Sequence, residues 1–130
     1  MKLSKQGLDL GLIVTDLEAM TAFYRDLLEL PEVGRRTNGW GLMVELGAGS
    51  SVIRLLLPTT SATSVPGDLL ALTGVRYITF PVADIDETSA RLADWGAPLV
   101  LPMTDVGTAR FVMYADPEGN AVELFQRVNS

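Results

Sequence analysis

Four polar residues stand in otherwise aliphatic segments of the chain and are the candidates for chemistry: Asp9, Arg54, Tyr77 and Glu123. The sequence contains no histidine and no cysteine, so a Ser-His-Asp triad, a thiolate nucleophile and an imidazole metal ligand are excluded. Proton transfer would have to use Asp, Glu, Tyr, Lys or Arg side chains. Asp9 or Glu123 could act as a general base, and Tyr77 could donate a hydrogen bond to a developing oxyanion.

The alternation of aliphatic residues around these four predicts that each lies in a β-strand. In each of four segments apolar side chains recur at alternate positions, and the polar residue falls at a position of the other class. If the aliphatic faces pack on helices, the four polar residues share the opposite face of the sheet, where a polar site could form. The segments are Leu8 to Val14, Ser51 to Leu57, Val75 to Val82 and Ala121 to Gln126.

Two halves of the chain repeat one order of elements: a strand, a helix and three further strands. A capping signal precedes each helix, from Thr15, Asp16 and Glu18 in the first half and from Asp84 and Glu87 in the second. The remaining strands are predicted at 33–36, 40–46, 99–105 and 109–115. We therefore expect one domain over residues 1–130, with module one at about 7–57, module two at about 75–127, and between them a linker at about 58–74 with a short helical piece at 68–72.

The composition is that of a small globular protein that contacts neither nucleic acid nor membranes. The 130 residues are 48% hydrophobic, which is enough apolar material for a full core. The net charge of −6 comes without a cluster of Lys and Arg that could meet nucleic-acid phosphates, and it modestly favours a cationic or neutral ligand. The apolar runs fall short of the roughly 18 residues of a membrane helix, and no signal-peptide pattern opens the chain, so we expect a cytoplasmic protein.

Three residues are candidates for contacts with a ligand. Trp40 opens a predicted strand and could stack on a planar ligand, or it could serve core or dimer packing. Arg110 lies in the predicted strand 109–115, and the sequence does not choose the face that carries it. Arg54 could grip a carboxylate or a carbonyl group of the ligand.

Three motifs together resemble a known family. They are the strand and capping segment Leu8 to Leu17, the helical segment Ala22 to Leu30, and the closing segment Asp116-Pro117-Glu118-Gly119-Asn120-Ala121-Val122-Glu123-Leu124. With them the sequence is similar to the vicinal oxygen chelate superfamily, which includes glyoxalase I, bleomycin resistance proteins and extradiol dioxygenases. The resemblance implies an α+β fold of two βαβββ modules, which form a cupped mixed sheet with helices outside and a small-molecule ligand inside. It also implies a homodimer.

The resemblance also implies where a metal ion would sit. Metal-binding relatives place one ligand on the first and one on the last strand of each module, positions taken here by Asp9, Arg54, Tyr77 and Glu123. Glu123 keeps an identity that the family uses, whereas the fixed positive charge of Arg54 would repel a divalent cation. We therefore expect no cofactor, and a metal ion, if bound, would use Glu123 and Asp9. Arg54 could instead bridge these two carboxylates in a structural network.

Three functions remain open at this point. The first is metal-independent binding of a small aromatic or cationic molecule in the cup. The second is a metal-free enzyme of the isomerase or lyase type, which would transfer protons through Asp9, Tyr77, Arg54 and Glu123. The third is a metal-dependent enzyme of the glyoxalase or dioxygenase type, against which the absence of histidine and the charge of Arg54 both argue.

Overall fold

The computed structural model describes residues 1–65 and 67–128 of the chain. Its residues cluster into two compact units, Met1–Ser64 and Val65–Ser130, which we call module one and module two. Each module contains one four-stranded sheet and one helical segment. No helix in the described ranges is long and apolar enough to cross a membrane.

Module one contains the first four strands. They form a sheet in the order β1-β4-β3-β2, in which β1 runs parallel to β4 and the other neighbours are antiparallel. The predicted strands of this half are confirmed, with ends that differ by one or two residues. The bounds are β1 Asp9–Ile13, β2 Glu32–Thr37, β3 Gly41–Ala48 and β4 Ser51–Pro58.

The helical segment of module one departs from a continuous α-helix. Asp16, one of the residues that the sequence named as a cap, accepts a hydrogen bond from the backbone N–H of Ala19 at 3.0 Å. Helix α1 spans only Leu17–Thr21, and the chain continues as the π-helical segment Ala22–Leu27. The prediction of a helix is confirmed, but the π-helical turns were not predicted, because hydrophobic spacing over so few residues does not distinguish the two windings.

Module two repeats the same order of elements. Its sheet has the order β5-β8-β7-β6, and β5 runs parallel to β8. Strands β6 and β7 have the predicted bounds, β8 is one residue longer, and β5 is shorter than predicted. The bounds are β5 Tyr77–Pro81, α2 Ile85–Trp95, β6 Leu99–Asp105, β7 Ala109–Ala115 and β8 Ala121–Arg127.

Local signals in the sequence explain both ends of α2. The Asp84 side chain accepts a hydrogen bond from the N–H of Glu87 at 3.1 Å, which confirms the predicted cap. Gly96 ends the helix with a φ of 94°, a left-handed conformation that glycine adopts without strain. The predicted helical piece at 68–72 is wrong. The chain makes a single turn there, closed by a hydrogen bond from the N–H of Ala71 to the carbonyl of Asp68 at 2.9 Å, and one such turn is too short to nucleate a helix.

Each helix covers one face of the sheet in its own module. In module two, the hydroxyls of Ser89 on α2 and Tyr114 on β7 are hydrogen-bonded at 2.8 Å, so even-numbered residues of β7 point towards the helix. The largest fully buried side chains of both modules lie on the helices and on these helix-facing positions, and they include Met20, Phe23, Tyr24, Leu46, Leu55, Ile85, Leu92 and Leu124. We call the other side of each sheet its helix-distal face. The predicted α+β fold with two βαβββ modules is confirmed.

Candidate functional site

On the helix-distal face of module one, Asp9 and Arg54 form an ion pair. Their strands are parallel neighbours, with Asp9 opposite Val52 and Gly11 opposite Arg54. The Nη2 of Arg54 donates to Oδ2 of Asp9 at 3.0 Å. Gly11 has no side chain, so nothing on β1 stands between the two charged groups. The structure thus brings together two of the four residues that the sequence singled out.

Glu45 completes this cluster and was missed by the sequence analysis. It lies directly opposite Arg54 in the antiparallel β3–β4 pair, and its Oε2 accepts from Nε of Arg54 at 2.9 Å. The same oxygen lies 3.8 Å from Nη2 of Arg36 on β2. Arg54 therefore bridges Asp9 and Glu45, whereas the sequence hypothesis gave it Glu123 as the second carboxylate. The alternation of Val44 and Leu46 around Glu45 was a signal of its face, but only the strand register reveals its partner.

Lys5 closes the other end of the row, because its Nζ donates a hydrogen bond to Oδ1 of Asp9. Module one thus carries a row of alternating charges, Lys5, Asp9, Arg54, Glu45 and Arg36, which we call the ionic row. The hydrogen bond from Lys5 is the largest effect that lowers the pKa of Asp9, and Arg54 lowers it further. Glu45 and then Asp9 raise the pKa of Arg54. Asp9 is therefore a carboxylate at neutral pH and a weak proton acceptor.

On the helix-distal face of module two, Glu123 has a neutral partner. Thr79 lies opposite Glu123 in the parallel β5–β8 pair, and its hydroxyl donates to Oε1 of the carboxylate at 2.8 Å. Tyr77 lies two residues before Thr79, on the same face of β5, and its side chain is 50% exposed. Within module two, no Lys or Arg side chain of residues 67–128 pairs with Glu123. The Glu123 carboxylate therefore has a hydroxyl partner and no cationic partner among residues 67–128.

Arg110 lies on the other side of the sheet from Glu123. Its Nη1 and Nη2 donate to the two carboxylate oxygens of Asp86 on α2, at 2.9 and 2.8 Å. In the β7–β8 pair Arg110 lies opposite Gln126, while Glu123 lies opposite Met113. The face that the sequence left open is thus the helix-facing one, so Arg110 does not share a face with Glu123.

Trp40 stands outside the strand that it was predicted to open. Strand β3 begins at Gly41, and the N–H of Trp40 donates to Oδ1 of Asn38 at 2.8 Å in the turn before it. The side chain is 72% exposed, so the alternative of core packing is wrong. Asn38 bends the chain before the strand can start, because its side chain captures backbone N–H groups that the ladder would otherwise use.

The described residues were also compared with the requirements of a metal site. Within either module, residues 1–65 and 67–128 contain no group of three or more acidic side chains placed to hold a metal ion. The geometry thus offers two different polar surfaces. Module one carries an ionic row of three cations and two carboxylates, and module two carries a carboxylate that has no cationic partner among residues 67–128 and shares its face with the half-exposed Tyr77.

Comparison with known protein families gives a match over most of the chain. The family described as the Glyoxalase/Bleomycin resistance protein/Dioxygenase superfamily matches residues 8–124. A search of curated proteins found no significant match.

Solved structures share the fold over nearly the full length. A glyoxylase/bleomycin resistance protein/dioxygenase domain from a Frankia species is 19% identical, with a TM-score of 0.81 and coverage of 100% of this chain and 96% of that one. A glyoxalase family protein from Bacillus cereus is 22% identical, with a TM-score of 0.81 and coverage of 99% and 97%. TnmS3, an antibiotic-binding protein from a Streptomyces species, is 21% identical, with a TM-score of 0.72 and coverage of 98% and 99%.

Proposed function

The chain belongs to the Glyoxalase/Bleomycin resistance protein/Dioxygenase superfamily, and we propose that it binds a small organic molecule on the helix-distal side of its sheets without a metal ion. The observation that carries this proposal is the position of Arg54, whose guanidinium lies between the carboxylates of Asp9 and Glu45. The resemblance implies that metal-binding relatives have a metal ligand at the position of Arg54.

The chemistry of the four positions fits a divalent ion poorly. Asp9, which could coordinate, already accepts hydrogen bonds from Lys5 and Arg54, and a cation beside it would face both positive charges. Hard cations need several oxygen ligands, and a tyrosine hydroxyl that keeps its proton is a poor one. Glu123 would be left as a single carboxylate ligand within module two.

Module two supplies the chemistry for a ligand. Among residues 67–128 the Glu123 carboxylate has no Lys or Arg partner, and Tyr77 on the same face offers a half-exposed aromatic ring. A planar cationic molecule fits such a surface, since it can meet the carboxylate with its charge and the ring with its π-face. The fold likeness to TnmS3, an antibiotic-binding protein, adds support for a binding role.

A metal analysis and a ligand titration together test this proposal. Protein purified without chelators would be analysed for bound metal, and the 15N-labelled protein would be titrated with N-methylquinolinium, with and without EDTA. We expect substoichiometric metal, and amide shifts at Tyr77 and Glu123 that EDTA leaves unchanged. A stoichiometric divalent ion, or binding that EDTA abolishes, would contradict the proposal.

Variants of the two residues separate ligand contact from a structural role. Glu123→Gln should weaken binding of N-methylquinolinium by about fivefold because the charge is lost, and Tyr77→Leu should weaken it by a similar factor because the aromatic ring is lost. Their melting temperatures should stay near that of the parent protein. Asp94→Asn, an exposed change on α2, is the control for loss of one negative charge. If both variants mainly lower the melting temperature, the residues are structural.

A metal-free enzyme is the second candidate, and Glu123, which has no Lys or Arg partner among residues 67–128, favours it. Lys5 and Arg54 lower the pKa of Asp9, which disfavours Asp9 as a general base and leaves Glu123 as the candidate for that role. Tyr77 could then donate to a developing oxyanion. Small ketones and 2-oxoacids in D2O would be followed by 1H NMR. Protein-dependent exchange of a carbon-bound proton that Glu123→Gln abolishes would establish catalysis, and its absence across the panel would leave binding as the function.

We also propose that the chain forms a homodimer. Each four-stranded sheet has two edge strands, β1 and β2 in module one and β5 and β6 in module two, and unpaired edges of this kind are commonly covered by a second copy. Sedimentation equilibrium should give twice the chain mass. A single species of 14.0 kDa would disprove the dimer.

A further inference from the structure

A cleft of about 760 Å³ lies in module one on the side of the sheet opposite the ionic row. Leu42 on β3 and Leu57 on β4 are cross-strand neighbours at helix-facing positions, and together with Leu17 of α1 they give the cleft an apolar floor. The volume is in the range of cavities that hold small organic ligands. The cleft therefore differs from the surface of the proposed function both in its face and in its lining.

A buried hydroxyl in the wall of this cleft has no hydrogen-bond partner. Thr21, the last residue of α1, is only 4% exposed, and its Oγ1 finds neither donor nor acceptor among the described residues. An unsatisfied buried polar atom costs free energy, so proteins rarely retain one without a use. A ligand in the cleft would supply the missing partner.

The charged side chains around the cleft determine which charge on the ligand is favoured. Arg25 donates to Asp26 at 2.9 Å and to Glu32 at 3.0 Å, and Arg35 donates to Glu32 at 3.2 Å, so two carboxylates balance the two positive charges. Asp16 is engaged as the cap of α1. Glu18 has no partner among the described residues. The charge left unpaired at the rim of the cleft is therefore negative.

We propose that this cleft binds a compact primary amine with an apolar body. Glu18 and Thr21 are three residues apart on α1, so their side chains are neighbours, about 5–6 Å apart at Cβ. An ammonium group has three N–H donors and no acceptor, and can donate to the Glu18 carboxylate and to Oγ1 of Thr21 at once. The apolar body then packs on Leu17, Leu42 and Leu57. This site is independent of Arg54, Tyr77 and Glu123.

Titration of 15N-labelled protein with 2-phenylethylamine tests the proposal. We expect saturable shifts of the amides of Leu17, Thr21 and Leu42. The same titration with 3-phenylpropionate, which carries the opposite charge on a similar body, should leave these amides unmoved. Shifts confined to Tyr77 and Glu123 would assign the amine to the helix-distal face and overturn the cleft site without touching the proposed function.

Two variants define the contacts. Glu18→Gln, which removes the negative charge, and Thr21→Val, which removes the hydroxyl acceptor, should each weaken 2-phenylethylamine binding by about fivefold. Thr21→Val is close to isosteric and removes the unsatisfied hydroxyl, so it should not lower the melting temperature. Glu18 is exposed, so its variant folds in any case. Asp94→Asn again controls for net charge. Equal affinity of Glu18→Gln and Asp94→Asn would overturn the proposal.

Discussion

The helix-distal faces of the two modules share one strand arrangement and differ in how their charged side chains are paired. Arg54 and Glu123 both lie in the last strand of a module, which pairs in parallel with the first. Around Arg54, positive and negative side chains alternate and pair with one another, whereas among residues 67–128 Glu123 pairs with the hydroxyl of Thr79. A repeated fold thus fixes where a polar side chain lies, and its partners decide whether its charge remains available to a ligand.

The strongest test of this difference compares how far the free energy of unfolding falls when the charge of Arg54 or of Glu123 is removed. Arg54→Met breaks two charge-assisted hydrogen bonds at once, and we expect it to lower the free energy of unfolding by about 1 kcal/mol. Glu123→Gln keeps an acceptor for Thr79 and should change it by less than about 0.5 kcal/mol. Urea unfolding measures both. Equal costs would show that the two faces are energetically alike and that Glu123 is also held by its surroundings.

Acid titration probes the same difference through Asp9. Lys5 and Arg54 lower its pKa in the folded protein, so folding gains stability from Asp9 above its ordinary pKa of about 3.9, and loses it as the pH falls through the folded value. The pKa, followed by the 13C shift of the Asp9 carboxyl, should rise in Lys5→Met and in Arg54→Met. The rise should be larger in Lys5→Met, since the Lys5 hydrogen bond has the largest effect. No rise in either variant would mean that the ionic row does not form in solution.

Most of the fold could be predicted because it depends on local patterns. Alternating aliphatic residues gave the strands, and Asp84 with Gly96 gave the ends of α2. The site was predicted only in part. Asp9 and Arg54 were found because each interrupts an aliphatic pattern, but Glu45 was not, since the pairing of β3 with β4 is set by tertiary register. Trp40 lies one residue before the strand that it was predicted to open, because its N–H donates to the Asn38 side chain in the preceding turn.

A glycine on the neighbouring strand makes room for the carboxylate that holds Arg54. The β2–β3 register shifts between Glu32 and Gly34, which brings Gly34 opposite Glu45. A Cβ at position 34 would lie 2.8 Å from Oε1 of Glu45, closer than such atoms approach. The side-chain carboxylate can move away, so the clash would displace Glu45 and leave the backbone in place. The position of the Arg54 guanidinium therefore depends on the absence of a side chain at Gly34.

Gly34→Ala should consequently have the smallest effect on stability and still disturb the ionic row. Alanine restricts the unfolded chain, which offsets part of the cost of moving Glu45, so we expect a net change in unfolding free energy within about 0.5 kcal/mol. If Glu45 is displaced, Arg54→Met should lower the free energy of unfolding by less in the Gly34→Ala background than in the parent protein. A double-mutant cycle followed by urea unfolding measures this difference. If Arg54→Met costs the same in both backgrounds, Glu45 can hold Arg54 from more than one position. The pairing of charges in module one would then not depend on Gly34.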